Sequence, residues 1–192
     1  MIRKISLLSA GLFWSGIASA HATVTPGATF LQNLLHPFTG LDHLLVMLAV
    51  GLWATRQRSL KTAALLPLVF VAAIPAGQWL LPVTALQPVV EVFVTASVLV
   101  FGVILLLDTP MRLTIVLPLI AATGALHGLA HIAETGSVSA MPVIAMMTGS
   151  ALLHGLGITL GLWSRSAGLT YLYRTTGAGL VIAGTGLAVV IL

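Results

Sequence analysis

The sequence predicts an all-α fold: a polytopic membrane helix bundle of about six transmembrane helices behind a cleavable signal peptide. Three observations carry that prediction. The 192-residue chain is 58% hydrophobic, with a mean hydropathy of +1.12 and only 6% charged residues, whereas a soluble domain carries about a quarter. The apolar residues gather in segments long enough for a hydrocarbon core, which takes roughly 20 residues of helix. The basic residues fall only on alternate connections between those segments. The pI near 10.4 reflects four acids rather than an excess of bases, so a nucleic-acid partner is excluded in favour of membrane lipid. The chain has no cysteine, which excludes disulfides, thiolate metal sites, iron–sulfur clusters and cysteine nucleophiles.

Residues 1–20 have the three parts of a secretory signal. Arg3 and Lys4 are its basic start, Ile5 to Ile17 is an apolar run too short for a span, and Ala18-Ser19-Ala20 fits the small-x-small cleavage rule. The competing reading is an uncleaved signal anchor. Cleavage leaves one domain, residues 21–192, starting at His21. A terminal His offers its α-amine and its imidazole to one metal ion, both of which must be deprotonated to bind.

Hydropathy and helix breakers then place six spans near 38–55, 62–81, 88–107, 113–132, 141–163 and 170–192. Arg56, Arg58 and Lys61 follow the first span, Arg112 the third, and Arg165 and Arg174 lie between the last two or at their facing ends. The connections near 82–87 and 133–140 carry no Lys or Arg. By the positive-inside rule the basic side is cytoplasmic, so both mature termini are expected in the periplasm and the chain in the bacterial inner membrane. Gly124-x-x-x-Gly128 and Gly157-x-x-x-Gly161 read as helix-packing pairs. Pro67, Pro75 and Pro118 are expected to bend their helices.

On this topology the chemistry has a direction. His21 and His36 precede the first span, Asp42 and His43 open it, and Glu91 lies in the outer turns of the third. His127, His131 and Glu134 run up the outer half of the fourth, and His154 sits mid-way in the fifth. Asp108 is interfacial, a capping or orienting residue, and Met47, Met146 and Met147 read as packing. An ionisable side chain at mid-bilayer costs ~3 kcal/mol on insertion scales, so several together imply a cavity or pathway.

Two local patterns stand out. In His36-Pro37-Phe38-Thr39-Gly40-Leu41-Asp42-His43, Pro37 suits the first position of a helix. His36 and His43, two turns apart, can then share a face. Asp42 is one residue off it, able to ligate or to hold an imidazole tautomer. In His127-Gly128-Leu129-Ala130-His131-Ile132-Ala133-Glu134, the two imidazoles and the carboxylate fall on one stripe. The zinc-protease arrangement, His-Glu-x-x-His, is absent. A lone membrane His is as often a hydrogen-bond partner as a ligand, and Glu91 has a neutral, carbonyl-bonded alternative.

His-Pro-x-x-Gly-x-Asp-His and His-Gly-x-x-His-x-x-Glu together resemble the HupE/UreJ family, and the likeness runs the length of the chain. The resemblance implies a hydrogenase or urease accessory function, with Ni²⁺ (sometimes Co²⁺) permease activity across the inner membrane and a link to nickel-enzyme maturation. It puts His36, Asp42 and His43 forward as essential.

The expected function is therefore secondary uptake of a divalent transition metal rather than an enzymatic activity. His21, His36, Asp42, His43, His131 and Glu134 would capture the ion, and His127, Glu91 and His154 would relay it. Imidazole and carboxylate without thiolate suit Ni²⁺ or Co²⁺, although Zn²⁺ and Cu²⁺ bind the same groups. Two charges moving inward gain about 4.6 kcal/mol per 100 mV, over a thousandfold in accumulation at ~1.4 kcal/mol per decade. Two alternatives share these ligands. One is an intramembrane zinc hydrolase, which needs one closed three-ligand site and a metal-bound water. The other is a periplasm-facing metal sensor or chaperone that binds without translocating.

Overall fold

The first helix is set by its own sequence. Thr29 accepts a hydrogen bond from the backbone N–H of Gln32 (3.3 Å), and Gln32 Oε1 accepts one from the N–H of Thr29 (2.7 Å). This reciprocal box satisfies two of the donors a helix start leaves open. The structure is a computed structural model that describes residues 28–57, 59–80, 87–108, 111–135 and 139–191. The expected signal peptide and His21 lie outside the described residues. Those residues form seven helices: α1 Phe30–Thr39, α2 Leu41–Ala54, α3 Leu60–Leu80, α4 Gln87–Leu107, α5 Leu113–Thr135, α6 Ala140–Ser166 and α7 Tyr171–Ile191. Helices α3 to α7 are each long and apolar enough to cross a membrane, and α1 with α2 makes a sixth candidate span. The fold is an all-α, multi-pass bundle.

The first span differs from its expected form. The helix does not begin at Pro37. It begins at Phe30, Pro37 lies inside α1, and the axis turns by 77° between α1 and α2. Proline has no N–H to continue the ladder and crowds the carbonyl four residues back, so α1 runs only two residues past it. Gly40 N–H and Thr39 Oγ1 both donate to the His36 carbonyl (3.1 and 2.9 Å) and close the turn. Pro67 and Pro75 sit within unbroken α3, and Pro118 within unbroken α5.

Packing follows the small residues. Helix α3 lies along α5, α2 along α6, and α4 along α7. Gly124 and Gly128 bring α5 onto the carbonyls of Phe70 and Ile74, and a Cβ at either glycine would overlap them. Gly51 and Gly157 bring α2 and α6 together in the same way, beside the His154 carbonyl. Without a hydrophobic drive between helices in lipid, such backbone approach supplies the contact. Trp53, Phe70, Phe101, Leu66 and Ile74 fill the interior.

The arginine-bearing end is tied separately. Arg56 donates from Nη2 to Asp108 Oδ2 (2.6 Å) with Nε 2.6 Å from Oδ1, and its guanidinium stands 4.7 Å over the Tyr173 ring. Tyr173 donates to the Gly161 carbonyl (3.0 Å) and Arg165 to the Thr55 carbonyl (2.6 Å). These contacts join the ends of α2, α4, α6 and α7. Asp108 itself ends α4 in the left-handed region, at φ 51°, a conformation costly for a residue with a Cβ.

Candidate metal-handling site

Three histidines share one way of being held. His43 places Nδ1 2.8 Å from Asp42 Oδ1, which also accepts from the His43 backbone N–H (2.7 Å). His127 Nδ1 lies 2.9 Å from the Thr123 carbonyl, and His154 Nδ1 lies 2.7 Å from the Ser150 carbonyl. A carbonyl oxygen only accepts, so Nδ1 carries the proton in both and the lone pair is on Nε2. In His127 and His154 that Nε2 is buried and takes part in no hydrogen bond. The helix itself sets the tautomer, since the acceptor is the carbonyl one turn back. Asp42 does the same for His43 as the carboxylate of a carboxylate–histidine pair does at metal centres.

The rings form a string. Centroids lie 5.3 Å apart for His131 and His36, 5.5 Å for His36 and His43, and 4.7 Å for His43 and His127. Beyond His127 the Phe70 ring follows at 5.3 Å, and His154 lies 4.7 Å past it. All five imidazoles are buried. Among the described residues, no group of three or more His, Asp or Glu is set to hold a metal ion together. The arrangement is a succession of neighbours from α1, α2 and α5 toward α6, with the Asp42 carboxylate against His43.

The sequence motifs therefore meet, by a route other than the expected one. His36 and His43 do not share a face of one helix; the turn at Gly40 folds one ring toward the other. His127 and His131, on one stripe of α5, reach different partners, His43 and His36. Glu134 lies in the last turn of α5. Glu91 is half-buried near the start of α4, where Val90 and Val94 pack on Leu129 and Ala130 of α5. Asp108 is at the opposite end of the bundle, engaged with Arg56. Met47 and Met146 are fully buried in the apolar core.

Three residues at or near the string were not singled out by the sequence. Phe70 separates His127 from His154, and only its position within an apolar helix distinguishes it from a lipid-facing Phe. Asn33 is buried on α1 one turn before His36. Gln78, two turns past Phe70 on α3, is buried with neither amide atom hydrogen-bonded. The two polar amides were the available signal, since each falls in or beside an apolar segment.

The chain is 29% identical over 188 residues to "Protein HupE" of Rhizobium leguminosarum bv. viciae, covering 97% of each protein. No solved structure matches. Residues 9–188 match the description HupE / UreJ protein, which takes in both histidine motifs and every helix that contributes to the string: the chain belongs to the HupE/UreJ family.

Proposed function

We propose that this protein is a secondary permease for a divalent transition metal, Ni²⁺ first and Co²⁺ second, moving it across the bacterial inner membrane into the cytoplasm. The single observation that carries the reading is the string of five buried imidazoles, three of them with Nδ1 anchored on oxygen. A closed tetrahedral site would retain its ion. A succession of partial sites lets an ion exchange one imidazole for the next, the condition for conduction as opposed to storage. The family's association with nickel-enzyme accessory functions favours nickel, as does a donor set of nitrogen and oxygen without sulfur.

In this reading His131, His36, Asp42 and His43 receive the ion on the periplasmic side, with Glu134 and Glu91 contributing negative charge and His21 a further neutral nitrogen ligand at the mouth. His127 takes it inward. Phe70 then stands as an apolar ring between the four outer imidazoles and His154, so the path at that level is not an open water column. The membrane potential drives the ion, and no nucleotide-binding motif is present. The hydrolase alternative requires three ligands converging on one ion, and the extended string favours the permease over it. A sensor shares the ligands and differs only in flux.

The test is accumulation of ⁶³Ni²⁺ in energised cells expressing the chain, compared with His36→Ala and Asp42→Asn at matched membrane levels, with and without an uncoupler. Uptake that is lost in both variants and collapses with the uncoupler supports a potential-driven permease. Binding to purified protein without uptake would move the assignment to a sensor or hydrolase.

A further inference from the structure

Helix α1 buries three residues, Asn33, His36 and Pro37. Asn33 and His36 are three apart, so their side chains are neighbours on one face, and that face looks into the bundle where the His36 ring meets those of His43 and His131. Asn33 is held in one orientation. Its Nδ2 donates to the carbonyls of Ala28 (3.2 Å) and Thr29 (2.9 Å), and two carbonyl acceptors fix which end of the amide is nitrogen. The other end, Oδ1, is buried and accepts no hydrogen bond. A buried acceptor left without a donor costs ~1–3 kcal/mol, and a leucine in its place would avoid that cost. An oxygen that is fixed, neutral and able only to accept suits a hydrogen-bond donor or a cation, and beside a string of imidazoles the partner it fits is a cation or the water carried by one.

We propose that Asn33 is an oxygen ligand for the incoming divalent cation, one helical turn ahead of His36 on α1. The inference rests on the permease reading and adds a stage to it. A hydrated ion first exchanges a water for, or hydrogen-bonds a water to, the Asn33 carbonyl oxygen, and only then meets imidazole. Because the oxygen carries no net charge, it lowers the barrier to dehydration without becoming the tightest site on the path.

The competing explanation is that Asn33 merely anchors the start of α1 through Nδ2. Two substitutions separate these roles. Asn33→Leu removes both the oxygen and the anchor, while Asn33→Asp keeps an oxygen and loses the two donors. The measurements are the concentration dependence of ⁶³Ni²⁺ uptake in cells and equilibrium dialysis of Ni²⁺ against the purified full chain in detergent. The expected result is that Asn33→Leu raises the half-saturating concentration and the dissociation constant about tenfold, in the range that lost partners of metal ligands cost. Its maximal rate per molecule stays close to wild type, and Asn33→Asp binds at least as well as wild type.

If both variants lose maximal rate in step with thermal stability, the anchor explains Asn33 and the proposal fails. Wild-type uptake that is insensitive to Asn33→Leu overturns this inference alone. Asn33-dependent Ni²⁺ binding in a wild type that takes up no Ni²⁺ upholds it and overturns the permease reading instead. A wild type that neither binds nor takes up the ion overturns both.

Discussion

His36 and His43 lie with ring centroids 5.5 Å apart, although seven residues of straight helix would separate them by about 10.5 Å along the axis. The turn at Gly40 makes the difference. Gly40 has ordinary extended torsions, φ −75° and ψ 113°, so its glycine is not required by the backbone. Space is the constraint: a Cβ there would stand 3.3 Å from Asp42 Oδ1, close enough that the carboxylate must give by a few tenths of an ångström, and 3.4 Å from His43 Nδ1. Gly40→Ala is therefore expected to displace the Asp42–His43 pair and lower ⁶³Ni²⁺ uptake several-fold at unchanged membrane level. Unchanged uptake would show that the pair's position is not critical.

Asp42→Asn keeps shape and removes charge. The amide can present its nitrogen to Nδ1, which reverses the tautomer and turns the Nε2 lone pair into a donor. A loss of about 10–100-fold in Ni²⁺ affinity is expected, read from the half-saturating concentration. Asp42→Glu should recover part of it.

Phe70 is fully buried and touches both His127 and His154. Phe70→Ala should cost ~3–5 kcal/mol of stability, as for buried rings elsewhere, and release both imidazoles from their packing. Phe70→Leu should retain most of the stability. A thermal melt of the detergent-solubilised protein, run beside uptake, distinguishes lost volume from lost ring contact.

The Arg56–Asp108 pair should matter for assembly and not for metal affinity. Removing a charged hydrogen-bond partner costs about 1.5–3 kcal/mol, so Asp108→Asn is expected to lower the thermal midpoint. Arg56→Lys should not substitute, because a point ammonium lacks the planar fork. Ni²⁺ affinity per folded molecule should stay at the wild-type value in both; a shift would place this end of the bundle on the path.

Two glycines give a paired comparison. At Gly128 an added methyl meets the Ile74 carbonyl, while at Gly179 it meets nothing within 4 Å. Gly128→Ala is expected to destabilise by ~1–3 kcal/mol, the usual range for overpacking, and Gly179→Ala to be neutral. Equal midpoints would argue against the close α3–α5 approach.

The sequence made the bundle legible because hydropathy reports spans directly: five of the six expected segments coincide with α3 to α7 to within a few residues. The histidine motifs were legible as motifs, since ionisable groups in apolar helices are rare enough to be noticed one by one. Their meeting was not. Spacing on a helix predicts a shared face only while the helix continues, and Pro37 followed by Gly40 reads equally well as a helix start or as a helix end. Phe70 was invisible because the same residue type faces outward at Phe93, which is 52% exposed. Asn33 and Gln78 are polar residues near segment ends, where polar residues are common. Only their burial without full hydrogen bonding sets them apart.

The break at Gly40 also has an electrical consequence. Each helix end carries roughly half an elementary charge, negative at the carboxyl end and positive at the amino end. At the break the carboxyl end of α1 faces the amino end of α2, beside the first imidazoles an ion would meet. Left alone, the amino end of α2 would repel an arriving cation. Asp42, in the first turn of α2 and bonded to the His43 N–H, sits on that positive end and cancels it. On the proposed permease reading, the same carboxylate that fixes an imidazole would make the dipole of a broken helix tolerable to a doubly charged ion.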